Sequence, residues 1–348
     1  MGVLIKDVAT RAGVSAATVS NVLNGRHERV SAETRAAVLR AAAELDYRRR
    51  ERAPRTPKRA QTLGLIVANI ASPLFVQAIS GVEAVATRFG YRLLLCNNRG
   101  REANDLVSAQ ALLARRVDGI LFVASSRYAG RDAFDAVVGA GVPCAVVNRV
   151  IDPEAALHVL SANEEGTYDA ASHLIRLGHR RLAYLHLPTD GPPVVQAAVE
   201  RMRGFARALA DNRLNAPPHW LRPGVLGDEG APAIGHALAR EWLAGGPRPS
   251  AILCGSDNLA VGVMRAVHEA GLRIPDDVAV VGHDDAPFAR HLTPALTTVR
   301  QPMEEAGARA AEALIQHLWK GASLQGVERL PCRLAIRASS SAYINSAS

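Results

Sequence analysis

The side chains best suited to bind a small molecule follow short apolar runs of the chain. Polar residues end or directly follow runs such as "LGLIVAN", "DGILFVAS", "VPCAVVN" and "VAVVGHD". In open α/β sheets, ligands bind beyond the carboxyl ends of the strands, so these residues are candidates for a binding cleft. The set consists of Asn69, Asn97, Ser125, Asn148, Ser256, Asp257, His283, Asp284 and Asp285.

Each of these residues also has a structural interpretation, because Asp, Asn and Ser cap the helix that follows a strand. For Asp257, helix capping and ligand binding are weighed equally. Asp284 and Asp285 could imitate a catalytic carboxylate pair, but adjacent residues of an extended segment point to opposite faces. His283 fits a ligand contact or a buried, hydrogen-bonded core position, and we favour the second.

Sequence signatures of enzymatic chemistry are missing from the chain. It contains no Gly-rich phosphate loop, no nucleophile elbow and no metal-ligand spacing. The four cysteines are far apart and form no CxxC pair, which provides neither a metal motif nor a disulfide framework. We therefore expect no enzymatic activity and no cofactor, with the cysteines as small core residues in a reducing compartment.

Positive charge is concentrated in the first sixth of the chain. Residues 1–60 hold 13 basic and 6 acidic side chains, and the remainder is nearly balanced within a total net charge of +8. The segment "RRRERAPRTPKR" (48–59) contains seven basic residues and two prolines. Such a local field indicates a polyanionic partner, either nucleic acid or an acidic membrane surface.

The residues before this basic segment are patterned as three short helices. Gly13 suits the end of the first helix, and Ser15 and Ser31 suit the caps of the next two. The apolar stripe of the third helix is expected to comprise Val38, Leu39, Ala42 and Leu45. Two helices joined by a tight turn form a helix-turn-helix, here at about residues 5–24. A bundle acting only as a spacer is the alternative, which the basic field argues against.

Motifs along nearly the whole chain resemble those of the lactose-repressor/galactose-repressor (LacI/GalR) family of transcriptional regulators. "DVATRAGVSAATVSNVLNG" is similar to the family's DNA-binding motif. "TLGLIVANIASPLF", "LGHRRLAYL", "AILCGSDNLAVGVMRAV" and "IPDDVAVVGHDDAPFARHLTPALTTVRQP" follow in the family's order. The resemblance implies an all-α helix-turn-helix headpiece and a two-lobed core like that of periplasmic sugar-binding proteins.

The pattern after residue 62 agrees with such a core. Apolar runs alternate with helical segments, which indicates parallel sheets covered by helices on both faces. We expect a headpiece over 1–47, a basic linker over 48–61 and an effector-binding and dimerisation core over 62–348. The first lobe is expected to comprise 62–160 and 297–330, and the second lobe 161–296.

The resemblance implies that the second helix reads operator DNA. Ala16, Ala17 and Asn21 match positions that read bases, and Ser15, Thr18 and Asn24 match positions that often contact the DNA backbone. Alanine can only pack against a thymine methyl, whereas asparagine can pair with adenine through N6 and N7. Direct readout of each half-site should therefore be modest.

Effector contacts in the cleft between the lobes are also implied by the resemblance. Arg201 and Asp284 match family effector positions, although Arg201 could instead be a surface helix arginine. Phe75 could offer the effector an apolar wall or could belong to the core. Asn148 and Arg149 stand where the family often has Asp-Arg, so the cleft is more positive, which slightly favours an anionic effector. "GDEGA" (227–231) lacks the aromatic residue that the family often uses for stacking, and His283 replaces the family's usual aromatic residue.

The linker departs from the family's pattern. Family members usually form a short hinge helix there, with a leucine wedged into the minor groove of DNA. Here no leucine is present, and Pro54 and Pro57 disfavour a continuous helix. We expect the three linker arginines, Arg50, Arg52 and Arg55, to follow phosphates or to enter a narrow A·T-rich minor groove. A solvated tether whose charge aids solubility is the alternative.

These observations predict a cytoplasmic, dimeric transcription repressor that binds a pseudo-palindromic operator in double-stranded DNA. A small effector, such as a sugar or sugar acid, would act through the cleft. No signal peptide or membrane-spanning run is found in the sequence, so no membrane partner is expected, and the tail lacks the heptads of a tetramerising coiled coil. A protein corepressor could replace the small effector. A sugar-binding transport protein would need a signal peptide and would have no helix-turn-helix.

Overall fold

The computed structural model describes residues 5–23, 30–45, 60–99, 101, 103–123, 130–189, 196–224 and 230–340. Residues 1–58, which contain the headpiece, and residues 59–348, the core, form two compact units. The predictions for Asn24, Ser125 and the linker arginines lie outside the described residues.

Three helices form the described part of the headpiece, namely α1 (Ile5–Ala12), α2 (Ala16–Leu23) and α3 (Ala32–Glu44). Val8, Val19 and Val38, one from each helix, are fully buried in their common core. Gly13 ends α1 in the left-handed conformation with φ of +66°, and the Ser31 side chain caps α3. The expected helix-turn-helix is therefore confirmed.

The apolar stripe expected for α3 is wrong at one position. Leu39 is 47% exposed, whereas Val38, Ala41 and Ala42 are buried. Residues at i, i+3 and i+4 share one face of a helix, and Leu39 lies about 100° around the helix from Val38. Ala41 and Ala42, three and four residues after Val38, complete the buried face of α3 instead.

Two six-stranded sheets form the described core. The first sheet contains β1 (Thr62–Val67), β2 (Arg92–Asn97), β3 (Gly119–Val123), β4 (Cys144–Val147), β5 (Leu157–Ser161) and β11 (Gly326–Leu330). The second sheet contains β6 (Leu182–His186), β7 (Leu221–Pro223), β8 (Ala251–Cys254), β9 (Ala279–Asp284), β10 (Thr297–Arg300) and β12 (Arg333–Ala335). The strand orders are β11-β5-β4-β3-β1-β2 and β12-β10-β9-β8-β6-β7, and only the β10–β12 pair is antiparallel among these strands.

Helices cover both faces of each sheet, as the unbroken apolar strands predict. The first sheet packs against α4 (Pro73–Arg88) and α11 (Met303–Lys320) on one face and against α5 (Ala103–Ala114) and α6 (Arg131–Gly139) on the other. The second sheet packs against α7 (Asn163–Arg176) and α8 (Gln196–Asp211), and against α9 (Gly230–Ala244) and α10 (Asp257–Glu269). The two-lobed α/β class is confirmed. None of the described helices is both long and apolar enough to cross a membrane.

In the described part of the chain, three crossovers join the two lobes, at Ala162, at Gln301–Pro302 and at Pro331–Cys332. The expectation that 297–330 belongs to the first lobe is wrong for β10, because this strand pairs with β9 in the second sheet. The chain returns to the first lobe only with α11. A hydrogen bond of 2.9 Å from Ala162 N to Leu330 O joins the first and third crossovers.

Candidate DNA-recognition helix and effector site

The exposed face of α2 carries two of the three residues expected to read bases. Ala17 and Asn21 are exposed and lie about one turn apart, while Val19 and Val22 anchor the opposite face in the headpiece core. Ala16 is half-buried. The small side chains allow a close approach to base edges, and the Asn21 amide supplies hydrogen-bonding groups for them.

Ser15 and Thr18 are held in place at the start of α2. Ser15 Oγ accepts a hydrogen bond of 3.1 Å from Thr18 N and lies 2.9 Å from Thr18 Oγ1. The cap expected for Ser15 is therefore confirmed. Both hydroxyl groups stand at the positive end of the helix dipole, where anions such as phosphate are stabilised.

Four side chains meet where the lobes join, and Asp284 is at their centre. Its Oδ1 accepts a hydrogen bond of 2.7 Å from Gln301 Nε2 and lies 3.3 Å from His283 Nδ1 and 3.9 Å from Arg201 Nη2. Asp284 ends β9, and Gln301 belongs to the second crossover. Arg201, His283, Asp284 and Gln301 are called the Asp284 cluster below.

Arg201 lies on α8 and is only 3% exposed, so it is not a surface helix arginine. Its Nε donates to Asn163 Oδ1 at 2.9 Å, and its Nη1 donates to the Gly255 carbonyl oxygen at 2.6 Å. Asn163 donates in turn to the carbonyl oxygen of Ser161, the last residue of β5, at 3.2 Å. The arginine therefore links the second lobe to the first crossover.

Two buried atoms of the Asp284 cluster, His283 Nε2 and Gln301 Oε1, have no hydrogen-bond partner among the described residues. Because the Asp284 carboxylate only accepts, His283 Nδ1 is assigned the proton, and Nε2 of the neutral ring is an acceptor. Burial and the Arg201 charge lower the pKa of His283 to about 4, so its ring is neutral at neutral pH. The expected burial of His283 is confirmed at 1% exposure, and among the described residues only its Nδ1 has a partner. Buried acceptors are almost always hydrogen-bonded, so both atoms can accept from a hydroxyl group of a bound molecule or from an ordered water.

Backbone strain marks the same place in the fold. Asp284 and Asp285 have φ of 118° and 51°, a region that L-residues rarely adopt and that is enriched at functional sites. Their side chains diverge, as expected, because Asp285 pairs with Arg300 and Arg337 at 2.6 Å each. Burial opposes ionisation of Asp285, but the hydrogen bonds from Arg337 and Arg300 lower its pKa below the ordinary value. Asp285 therefore holds neighbouring segments of the second lobe together.

Asp257 begins α10 without capping it, since the cap is the Ser256 side chain, which accepts a hydrogen bond from Leu259 N. The Asp257 carboxylate is buried and accepts hydrogen bonds from Thr298 Oγ1 at 2.6 Å and from Ala286 N at 2.7 Å. Burial and the nearby Asp284 charge raise the pKa of Asp257 to about 8. The capping interpretation is thus wrong, and ligand binding by Asp257 stays a prediction.

The described first-lobe residues expected to contact an effector all follow strands of the first sheet, Phe75 at the start of α4 after β1, and Asn148 and Arg149 after β4. Phe75 packs in the apolar core of the first lobe. Asn148 follows β4, is buried, and adopts a left-handed φ of 70°. Two residues later, Val150 N donates to Gln196 Oε1 of α8 at 3.2 Å, so the loop that contains Arg149 meets the second lobe. Effector binding by Phe75, Asn148 and Arg149 stays a prediction.

Comparison with known proteins identifies the family. Residues 4–50 match the family model of bacterial regulatory proteins of the lacI family, and residues 171–340 match that of a periplasmic binding protein-like domain. The ribose operon repressor of Haemophilus influenzae (strain ATCC 51907 / DSM 11121 / KW20 / Rd) is 32% identical over 315 residues, which cover 90% of this chain and 91% of that protein. The chain belongs to the LacI family.

Solved structures of transcriptional regulators share the fold. The complex of the transcriptional regulator CelR with cellobiose has a TM-score of 0.71 at 30% identity, covering 97% of this chain and 100% of that chain. The lac repressor dimer bound to operator and the anti-inducer ONPF has a TM-score of 0.70 at 29% identity. This match covers 98% of this chain and 100% of that chain. This LacI-family chain is accordingly a DNA-binding transcriptional regulator, and its relatives are repressors, not enzymes.

Two polar residues of this LacI-family site, Gln301 and Asn163, were not expected from the sequence. Gln301 donates to Asp284, and Asn163 accepts from Arg201. A signal for Gln301 is present in "TTVRQP", where a short strand ends in a polar residue, the same pattern that pointed to Asn148. Asn163 begins a helix that follows a strand and is indistinguishable in sequence from a cap.

Proposed function

We propose that this LacI-family regulator is a dimeric repressor of a pseudo-palindromic operator and that a neutral polyhydroxyl effector, such as a sugar, binds at the Asp284 cluster. One observation carries the effector class: His283 Nε2 and Gln301 Oε1, two acceptors beside the Asp284 carboxylate, have no partner among the described residues. Sugar hydroxyl groups can donate to all three acceptors. A small anion brings acceptors and few donors, so this geometry argues against the anionic effector that Asn148 slightly favoured.

Further features of the cluster agree with a sugar. Arg201 Nη2 lies 3.9 Å from Asp284 Oδ1, which leaves room for a hydroxyl oxygen to accept from the guanidinium. The Asp284 side chain keeps 16% exposure and is the accessible member of that ion pair, since Arg201 has 4%. Among relatives, CelR is solved with cellobiose, and the Haemophilus influenzae protein is named as a ribose operon repressor.

The position of the cluster explains how an effector could change DNA binding. Gln301 lies on the second crossover, and Arg201 is hydrogen-bonded to Asn163, which directly follows the first crossover. A ligand held there favours one arrangement of the lobes over another only by its differential affinity for the two. Such coupling is typically about 1–3 kcal/mol, or roughly 5- to 150-fold in operator affinity.

The proposed dimer forms through the free edge of the first sheet. β2 is an edge strand, and its Leu94 and Leu95 are 38% and 42% exposed. Ile70, which precedes α4, and Val76, which lies on it, are also exposed. Folded proteins rarely leave an apolar edge strand uncovered, because it pairs readily with another chain. The lac repressor, a structural relative, is solved as a dimer on its operator.

A ligand panel tests the effector class. The full chain is heated with ribose, cellobiose, a sugar acid or a purine base, and its melting temperature is compared with that of the free protein. A ligand that binds the folded state raises this temperature. The same ligand should change the affinity for an operator selected from random duplexes, as measured by fluorescence anisotropy. Stabilisation by the sugar acid or purine alone would reject the neutral sugar.

A further inference from the structure

The end of the first lobe where the chain enters the core is strongly basic. Ala60 and Gln61 lead into β1, which lies between β2 and β3. β2 begins with Arg92, whose amide donates to Gln61 O at 2.9 Å, and Arg115 and Arg116 follow α5 just before β3. Neighbouring strands are about 4.8 Å apart, so the backbones of β2 and β3, on the two sides of β1, are separated by roughly 10 Å. Arg92 at the start of β2 and Arg116 before β3 therefore flank the entering chain.

Two further cations belong to the same end of the lobe. Arg88 lies in the last turn of α4, and Lys320 ends α11. The rings of Phe89 and Trp319, next to these cations, pack edge to face with centroids 5.2 Å apart, so the two helix ends are adjacent. The entry pole is defined here as Arg88, Arg92, Arg115, Arg116 and Lys320, all of which are exposed.

Little of this charge is compensated within the lobe. Arg88 pairs with Glu312 at 3.0 Å. Asp118, the acidic residue closest in sequence to Arg116, accepts hydrogen bonds from two backbone amides at the start of β1. The other four cations of the entry pole form no ion pair among the described residues.

Helix dipoles explain only some of these positions. A cation at the carboxyl end of a helix stabilises the negative end of the dipole, which accounts for Arg88 and Lys320 and for Arg115, whose Nη1 donates to the Ala111 carbonyl oxygen of α5 at 3.0 Å. Arg92 begins a strand instead, and Arg116 stands beyond α5 with a left-handed φ of 52°. These exposed charges are available to a partner outside the chain.

We propose that the entry pole binds phosphates of the operator DNA, as a sequence-independent contact in addition to the one made by α2. The inference rests on the proposed operator binding. Residues 46–59 separate the described headpiece from Ala60, and even a fully extended chain of that length reaches only about 50 Å. Tethering to a DNA-bound headpiece keeps the pole at a high effective concentration near the DNA backbone. An acidic protein surface would lack this tether.

A salt titration of the full chain tests the proposal. Arg92, Arg115 and Arg116 are replaced together by glutamine, and operator and random duplexes are titrated over a range of salt concentrations. Each lost phosphate contact flattens the slope of log K against log salt by about 0.9. We expect both duplexes to lose affinity by the same factor, because phosphates carry no sequence information.

Two matched variants distinguish an effect of the entry-pole charge from an effect of altered structure and from an effect of lower net charge. Replacement of the same three arginines by lysine should preserve the slope, because the charge remains. Arg203, Arg213 and Arg240 are exposed on the second lobe, and their glutamine variant has the same net charge as the test variant. An unchanged slope of log K against log salt in the triple glutamine variant overturns the proposal, and the entry pole would then fit an acidic protein surface instead of DNA. Equal flattening in the lysine or second-lobe variant also overturns it. Failure of operator binding itself would appear as a wild type without preference for operator over random DNA.

Discussion

Replacement of Asp284 by asparagine tests the effector site with a change of nearly constant shape. The carboxylate Oδ1 accepts from Gln301 at 2.7 Å and faces His283 and Arg201 at 3.3 Å and 3.9 Å. Asparagine retains one acceptor oxygen, but it loses the charge and presents a donor in place of Oδ2. A hydrogen bond to a charged group contributes about 1.5–3 kcal/mol, so the effector should bind roughly 10- to 150-fold more weakly.

The assay is isothermal titration of wild type and Asp284→Asn with the sugar that stabilises the wild type. Operator affinity without sugar should stay within about twofold of wild type, since the substitution removes a contact to the effector and none to DNA. Asp276→Asn is the matched control, because Asp276 is an exposed second-lobe aspartate that pairs only with Arg273 at 3.2 Å in the described structure. An unchanged dissociation constant for Asp284→Asn, or an equal loss in the control, would refute the reasoning.

Three further predictions concern the linker, the dimer and a buried carboxyl group. Replacement of the three linker arginines by glutamine should flatten the salt dependence of operator binding by roughly one to three units per linker engaged, and an unchanged slope would mean that the linker does not touch DNA. Leu95→Glu should yield a monomer in analytical ultracentrifugation, while Val327→Glu on β11, the opposite edge strand, should remain a dimer. The reverse result would place the dimer interface at β11 instead of β2. Because the folded-state pKa of Asp257 is raised from 3.8 to about 8, its contribution to stability is full below pH 3.8 and is lost as the pH rises through 8. Asp257→Asn, a permanently neutral mimic, should therefore gain stability relative to wild type in urea titrations as the pH rises, and a difference independent of pH would contradict the raised pKa.

Local patterns in the sequence predict most elements of this fold. The apolar run "DGILFVAS" contains β3, whose residues are all buried, and the helical segments expected between the apolar runs include α10 (Asp257–Glu269). Gly13, Ser15 and Ser31 end or cap helices as their chemistry predicts. These features depend on interactions within a few residues, which a single sequence displays.

The pairing of strands and the meeting of side chains that are far apart in the sequence are harder to predict. The sequence does not assign β10 to the second lobe, because nothing in "TTVR" indicates that this strand pairs with β9. Gln301 joins the Asp284 cluster from a separate crossover, and only three-dimensional structure shows that no described residue donates to His283 Nε2. The sequence does not show which of two adjacent apolar residues, Val38 or Leu39, faces the core from α3, and the structure buries Val38.

Selection of DNA by the full chain tests the central claim most directly. The wild type and Asn21→Ala are each incubated with a pool of random duplexes, and bound sequences are recovered over several rounds and read. Asn21 is exposed on α2 and can pair with adenine, a contact of about 1–3 kcal/mol in discrimination. The account predicts that the wild type enriches a pseudo-palindrome and that Asn21→Ala relaxes the preference at one symmetric pair of positions, with binding to random duplexes unchanged. Recovery of no motif, or of a motif without twofold symmetry that Asn21→Ala leaves intact, would contradict it.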